Sequence, residues 1–299
     1  ADGFAERVTK YSVLQFHRIL DKISEIPPNY KAWNLGLASG LACCGFTFLL
    51  GGGPVEMILA FFGAGVGMYV RKKLLERHIT LLANVSAGVA AACCTYLLLF
   101  KLFEVIFNVS SVHQSGYICS MLFVIPGFPL ITGGIDLAKL DLRSGLERIT
   151  YALLIILMAT ITGWVVALLL HFSPADFPEL EMAPLLKMVI RLITSFCGVY
   201  GFSLMFNSKR KMAACAGLIG MIANTTRLEL IDFTPMPAGV AAFIGAMIAG
   251  LLATAMKSKA GYPRITLTVP SIVIMVPGMF LYKGIYYLGS YDIATGGMW

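Results

Sequence analysis

Two proline-glycine pairs lie in matching apolar stretches of the chain, and their chemistry suits the binding of a small charged solute. Pro126-Gly127 and Pro277-Gly278 are 151 residues apart, and seven positions around them agree without a gap in the pattern Pro-Gly-x2-Leu-x2-Gly-x3-Leu-x3-Asp-x3-Gly. Proline removes a backbone donor and frees a carbonyl one turn earlier, and glycine loosens the helix further. Freed amides can bind a carboxylate and freed carbonyls a cation, so we predict two broken membrane helices that frame a transport site. A simple kink is the alternative for either break taken alone.

Composition indicates the class of protein that holds these pairs. Hydrophobic residues make up 58% of the chain and charged residues 13%, against about 25% charged in a soluble domain, and the mean hydropathy is +0.80. We therefore predict an all-α integral membrane protein. No P-loop, nucleophile elbow, nucleophile-base pair or zinc motif occurs, so we expect no enzyme, no ATP-driven pump, no metal and no cofactor. The seven cysteines fall in apolar segments and are interpreted as packing residues.

Nine apolar stretches have about the length that a bilayer core requires. They are predicted at residues 32–52, 54–70, 80–100, 117–138, 149–171, 184–206, 212–226, 236–256 and 266–288. Residues 1–30 are interpreted as the end of a cytoplasmic domain, with an amphipathic helix at 4–25 that could instead lie on the membrane surface. Residues 31–172 form the first transmembrane repeat and residues 183–299 the second, incomplete one. The chain does not begin with Met, so we expect it to be a fragment.

The net charge of +7 predicts membrane topology rather than a nucleic-acid partner. When the nine stretches alternate across the bilayer, 18 of the 23 basic residues fall on one side, which the positive-inside rule assigns to the cytoplasm together with the N-terminus. The 151-residue offset places a tenth span beyond the last residue of the sequence. Each repeat then has five spans, and an odd number forces the second repeat to insert with inverted topology, as in alternating-access carriers.

Polar residues inside the spans are candidate substrate ligands. A buried guanidinium can clamp a carboxylate through two hydrogen bonds, although a structural ion pair is an equal alternative for Arg191. Asn224 and Arg227 end the seventh span and offer donors, or they simply cap the helix at the interface. In the first repeat Thr132 and Gly133 follow the break. In the second, Lys283 replaces the threonine, and it either holds an anionic group or extends to the interface.

Three aspartates of the repeated element are candidates for proton coupling. Asp136 lies near the edge of its span, where a carboxylate must be paired, hydrated or protonated, and it is the first candidate for a proton carrier. Pairing with Lys139 or Arg143 is the alternative. Asp141 and Asp292 correspond to each other and more simply cap the helix that follows each of them.

The stretch PGFPLITGGIDLAKLDLRSGLER resembles the signature of the threonine/serine exporter family, and VPGMFLYKGIYYL resembles the motif of that family's second half. The resemblance covers nearly the whole chain. It implies ten spans and proton-driven export of small solutes, with a split two-subunit form linked to dicarboxylates such as succinate. Pro126, Gly127, Asp136, Asp141, Gly145 and Arg148 match the first motif, and Pro277 and Gly278 match the second.

On these grounds we expect a proton-antiporting exporter of threonine or serine in a bacterial inner membrane. A dicarboxylate exporter of the same fold is the first alternative, and it predicts two basic anchors in the cavity rather than one anchor with an acceptor for an ammonium group. A channel is the second alternative. Expected partners are the substrate, protons and the lipid bilayer, with homo-oligomerisation left open.

Overall fold

Helices make up the regular structure. The computed structural model describes residues 12–110, 113, 116–170, 177, 180, 182–260, 263–276 and 278–289. The helices are α1 Val13–Ser24, α2 Ala32–Leu49, α3 Pro54–Glu76, α4 Leu81–Phe107, α5 Tyr117–Met121, α6 Gly127–Ala138, α7 Leu142–Leu169, α8 Pro184–Met205, α9 Arg210–Phe233, α10 Ala238–Ala260, α11 Arg264–Val273 and α12 Gly278–Gly289.

The helices support an integral membrane protein. Six of them, α2, α3, α4, α7, α8 and α10, are long and apolar enough to cross a bilayer. The pairs α5–α6 and α11–α12 are bent by 53° and 51° and bring the count to eight if each pair is one span. The predicted span at residues 212–226 corresponds to α9, whose charged C-terminal turns lower its hydropathy. The nine-span count therefore stays a prediction.

Local signals set the helix boundaries. Pro54 is the first residue of α3, where a backbone N–H would have no partner within the helix, so proline costs no hydrogen bond there. Asn108 ends α4 in the left-handed conformation, with φ at 50°. Asp141 precedes α7, and its side chain accepts a hydrogen bond from the Ser144 N–H at 3.3 Å. Because of this cap, α7 begins seven residues before the predicted span. The hydrogen bonds from Ser144 also hold the pKa of the Asp141 carboxyl below its usual value.

The N-terminal segment contacts the second half of the chain. Helix α1 covers Val13–Ser24 of the predicted 4–25 and buries none of its residues, while residues 1–11 lie outside the described part. After it, the Asn29 backbone N–H donates to the Asn207 side chain at 2.8 Å, and the Asn29 amide donates back to the Asn207 carbonyl at 2.7 Å. These bonds fix the segment against the turn between α8 and α9.

Corresponding helices of the two halves pack in corresponding ways. Helix α3 packs between α2 and α4, and α9 packs between α8 and α10. The first half of each bent pair also has equivalent neighbours, since α5 contacts α3 and α4 while α11 contacts α9 and α10. The halves join along α2 and α8, which are their first helices.

Small residues bring α2 and α8 into backbone contact. A Cβ atom built on Gly45 of α2 would lie 2.5 Å from the Thr194 carbonyl oxygen of α8, and a Cβ on Gly201 would meet the Ala38 carbonyl. Such close approach is typical of membrane helix interfaces, where packing rather than the hydrophobic effect drives association. We call this contact the α2–α8 seam.

A methyl group in the α2–α8 seam should destabilise the protein. We expect Gly45→Ala to lower the melting temperature of the detergent-solubilised protein, because overpacking at a rigid carbonyl costs about 1–3 kcal/mol. Gly239→Ala is the matched control in α10, where a Cβ would meet nothing within 4 Å. Equal melting temperatures for the two variants would contradict the tightness of the seam.

Candidate functional site

The first break separates α5 from α6. Helix α5 tightens into a 3-10 turn over Leu122–Val124 before the chain bends at Pro126. At the bend the Ile125 N–H donates to the Leu122 carbonyl at 3.1 Å, and the Gly127 N–H donates to the Ile125 carbonyl at 2.8 Å. These short-range bonds replace part of the regular helical ladder at the point where proline interrupts it.

The second break repeats this bonding. The Val276 N–H donates to the Val273 carbonyl at 3.1 Å, and the Gly278 N–H donates to the Val276 carbonyl at 2.8 Å. Each donor and acceptor lies 151 residues after its counterpart in the first break. Pro277 itself lies outside the described residues. The sequence repeat is therefore matched by a repeat of backbone structure at the two bends.

The two breaks contact each other inside the protein. A Cβ built on Gly127 would lie 3.0 Å from Cγ2 of Val273, and a Cβ on Gly278 would collide with the Ile125 side chain. The glycine of each break therefore leaves space for an aliphatic side chain from the other break. Phe46 of α2 and Phe202 of α8 line the small gap around this contact.

A cavity of about 570 Å³ reaches the first break from the end of α3. Its wall includes Pro126 and Phe128 at the break, Asn84 of α4, and the cationic side chains of Arg71 and Lys72. Its volume suits a small organic ligand. No acidic side chain lines it among the residues that the structure describes, so the cavity offers two cations to an anionic solute.

A second cavity of about 370 Å³ adjoins the first and shares Phe128, Pro129 and Tyr151 with it. Arg148 and Glu147 of α7 lie in its wall, so this neighbouring space contains charges of both signs.

Thr132 and Gly133 lie one to two turns after the first break. Thr132 lines the second cavity, and its hydroxyl donates to the Phe128 carbonyl at 2.9 Å, which leaves oxygen lone pairs for a ligand. A Cβ built on Gly133 would lie 3.2 Å from the Gly145 carbonyl oxygen. Gly133 therefore brings α6 and α7 together.

The candidate proton carriers occupy different places. Asp136 pairs with Arg148, whose Nη1 lies 3.3 Å from Asp136 Oδ2, and not with the predicted partners Lys139 or Arg143. Asp141 is the exposed cap of α7 described above. Asp292 lies outside the described residues.

Arg191 forms ion pairs at the α8–α9 contact. Its Nη1 lies 2.9 Å from Glu229 Oε1 and its Nη2 lies 2.9 Å from Asp232 Oδ2, while Lys187 Nζ also binds Asp232 at 2.7 Å. We call these four residues the outer ion network. Arg191 is buried and does not line the cavities at the first break.

The remaining predicted residues lie near this network or on α12. The Asn224 amide donates to the Ser195 hydroxyl at 2.9 Å, while Asn224 Oδ1 and Arg227 Nε are buried without a hydrogen-bond partner among the described residues. Lys283 is buried on α12, five residues after Gly278, within electrostatic reach of the Cys119 thiol.

Sequence reasoning missed the basic residues of the larger cavity. Arg71 and Lys72 were counted only as topology signals, because a cluster of cations after an apolar stretch ordinarily marks the cytoplasmic interface. Helix α3 instead continues to Glu76, which places both residues inside its last turns. The helical pattern of residues 71–76 is the signal that could have located them.

Comparison with known proteins supports a transporter. A family profile described as "Putative threonine/serine exporter" matches residues 3–171, and one described as "Threonine/Serine exporter, ThrE" matches residues 191–297. No solved structure matches the chain.

Curated relatives match part of their length. The chain is 32% identical over 162 residues to the probable succinate transporter subunit YjjP of Escherichia coli, and 31% identical over 164 residues to that of Klebsiella aerogenes, with 54% of this chain and 61% of each relative covered. It is 22% identical over 284 residues to the pheromone-regulated membrane protein 10 of Debaryomyces hansenii, covering 88% of this chain and 26% of that protein.

The chain thus spans about three fifths of the length of the two bacterial relatives. The first profile alone covers more than half of the chain, and it includes the first break and all of the residues that line the larger cavity except Met205 and Phe206. The predicted resemblance is confirmed: the chain belongs to the threonine/serine exporter family.

Proposed function

We propose that the chain is a secondary carrier that exports a small dicarboxylate from the cavity at the first break. The observation that carries this proposal is the pair of cations, Arg71 and Lys72, in a cavity without an acidic side chain among the described residues. A dicarboxylate needs two such anchors. An amino acid needs one anchor and an acceptor for its ammonium group. The lining of the cavity therefore favours a dicarboxylate over the threonine or serine that we expected from the sequence.

The names of the bacterial relatives agree with this substrate class. Both are probable succinate transporter subunits, and the region of similarity covers about half of this chain. Succinate is accordingly the first test substrate.

Threonine or serine is the second candidate, because the family profiles carry those names. The adjoining cavity contains Glu147 beside Arg148, which together could receive an ammonium and a carboxylate. Thr132 adds a hydroxyl to the same wall.

Alternating access would follow from the packing of the halves. The cavity lies toward the end of α3 that carries Arg71 and Lys72, the side that charge distribution assigns to the bacterial cytoplasm. The outer ion network then closes the opposite side between α8 and α9. In this proposal the halves have inverted topology and rock against each other, and proton antiport drives export with Asp136, Asp141 and Asp292 as the candidates from the sequence.

Exchange in proteoliposomes tests the carrier and its substrate together. With unlabelled succinate inside, we expect labelled external succinate to accumulate transiently, since a carrier returns loaded sites across the bilayer. Serine and threonine should exchange about tenfold more slowly, which corresponds to about 1.4 kcal/mol. Downhill flux without any counterflow would instead indicate a channel, and faster serine exchange would favour the second candidate.

Arg71→Gln should weaken the binding of succinate specifically. Loss of one of two charge-assisted contacts is expected to raise the half-saturating succinate concentration about tenfold, or by about 1.4 kcal/mol. Lys73→Gln on the same helix is the control, because Lys73 is exposed and pairs with Glu76. An equal effect of both substitutions would show that Arg71 acts only through surface charge.

Arg191→Gln separates an ion-pairing role from substrate binding. Arg191 already pairs with Glu229 and Asp232, so its loss should lower the free energy of unfolding by about 1–3 kcal/mol, a figure reduced because both carboxylates are partly exposed. The melting temperature should fall accordingly. The half-saturating succinate concentration should change less than twofold. The double variant Arg191→Gln/Glu229→Gln should regain part of the loss. A tenfold higher half-saturation at unchanged melting temperature would assign Arg191 to the substrate instead.

A further inference from the structure

A buried carboxylate lies at the opposite end of α3 from the cavity. Glu56 is in the first turn of α3 with 0% of its surface exposed, and its Oε2 accepts a hydrogen bond from the Gly53 N–H at 3.0 Å. Fifteen residues separate Glu56 from Arg71, or about 22 Å along the helix axis. A carboxyl group buried at this depth must be paired or protonated, and such groups in membrane proteins often serve transport.

The second oxygen of Glu56 faces a histidine. His113 Nδ1 lies 2.5 Å from Glu56 Oε1, and 25% of the His113 side chain is exposed. The Tyr96 hydroxyl donates to the His113 carbonyl at 2.7 Å and fixes the backbone behind the ring. The imidazole therefore connects a fully buried carboxyl group with the surface, and it is the side chain whose ordinary pKa lies closest to neutral pH.

Other titratable side chains lie near this pair on the helices packed around it. Glu56 acts electrostatically on Tyr96 of α4 and Cys119 of α5. Beyond Cys119 lie Cys43 of α2, Tyr117 of α5, and Lys283 and Tyr282 of α12. Both Glu56 and Lys283 act electrostatically on the Cys119 thiol, so a carboxyl group and an amine lie near the same buried side chain.

The residues near Glu56 and His113 belong to both of the bent helix pairs, α5–α6 and α11–α12. Cys119 belongs to α5, three residues before the 3-10 turn of the first break, and Lys283 belongs to α12, just after the second. The Tyr117 and Tyr282 hydroxyls hydrogen-bond at 2.8 Å and join α5 to α12 directly. A change of charge at Glu56 would therefore act on elements that meet at the breaks.

We propose that Glu56 and His113 together form a proton-exchange site of the carrier, on the side of the protein opposite to the Arg71–Lys72 cavity. The inference rests on proton-coupled export, as proposed above. The pair holds one proton in its neutral state, shared as Glu–H···His or Glu⁻···His⁺. A second proton from the water at the exposed imidazole makes it cationic, and release of that proton restores neutrality. Proton uptake thus places a positive charge near Lys283, which opposes the packing of α12 against α5.

Glu56→Gln should uncouple transport from protons. In proteoliposomes, an imposed pH gradient should drive succinate uphill with the native protein. We expect Glu56→Gln to reduce that gradient-driven accumulation at least tenfold more than it reduces succinate–succinate exchange at equal pH, because exchange requires no net proton transfer. His113→Gln should show the same separation and provides an independent variant if Glu56→Gln fails to fold.

Glu76→Gln is the matched control, since Glu76 is exposed at the far end of α3 and pairs with Lys73. Asp136→Asn tests the competing carrier. Gradient-driven accumulation that survives in both Glu56→Gln and His113→Gln would overturn the proposal, and its loss in Asp136→Asn alone would assign coupling to Asp136. If the native protein shows no exchange, the proposed carrier function itself fails, which is a different result.

Discussion

The structure depends on one constraint: backbone that leaves the helical ladder inside a bilayer must find partners within the protein. The two breaks meet this constraint in the same way. Each makes a short N–H to carbonyl bond across its proline, and each places a glycine against an aliphatic side chain of the other. Because each break is packed by its counterpart, the halves of the chain must come together at this point. The cavity, the seam and the buried pairs are arranged around that contact.

Much of the architecture could be predicted from the sequence because it follows from apolar length and from repetition. The 151-residue offset identified both breaks, and the structure reproduces their backbone bonding at the same offset. The end of α3 was harder to predict. A hydropathy window stops at the first run of cations, whereas a helix continues as long as its backbone bonds are made, so Arg71 and Lys72 appeared to lie outside the span.

The candidate site shows the same limit in another form. Sequence reasoning identified Arg191 as a charge that needs a partner, but its partners, Glu229 and Asp232, lie 38 and 41 residues away on α9. Likewise, Glu56 and His113 are 57 residues apart in the chain, and only the fold brings them together. Residue types indicate which buried side chains require an ion-pair or hydrogen-bond partner. Pairing across helices is a property of the packing, and a single sequence does not contain it.

The α2–α8 seam restricts how the two halves can move. Where Gly45 touches a carbonyl of α8, no side chain fills the space between the helices, so the two backbones can neither approach further nor separate without opening a void. Rotation about the line of contact preserves these distances, whereas translation does not. The seam therefore suits an axis of rotation. In the proposed alternating access the two halves would turn about α2 and α8, and the displacement of each helix would grow with its distance from that axis.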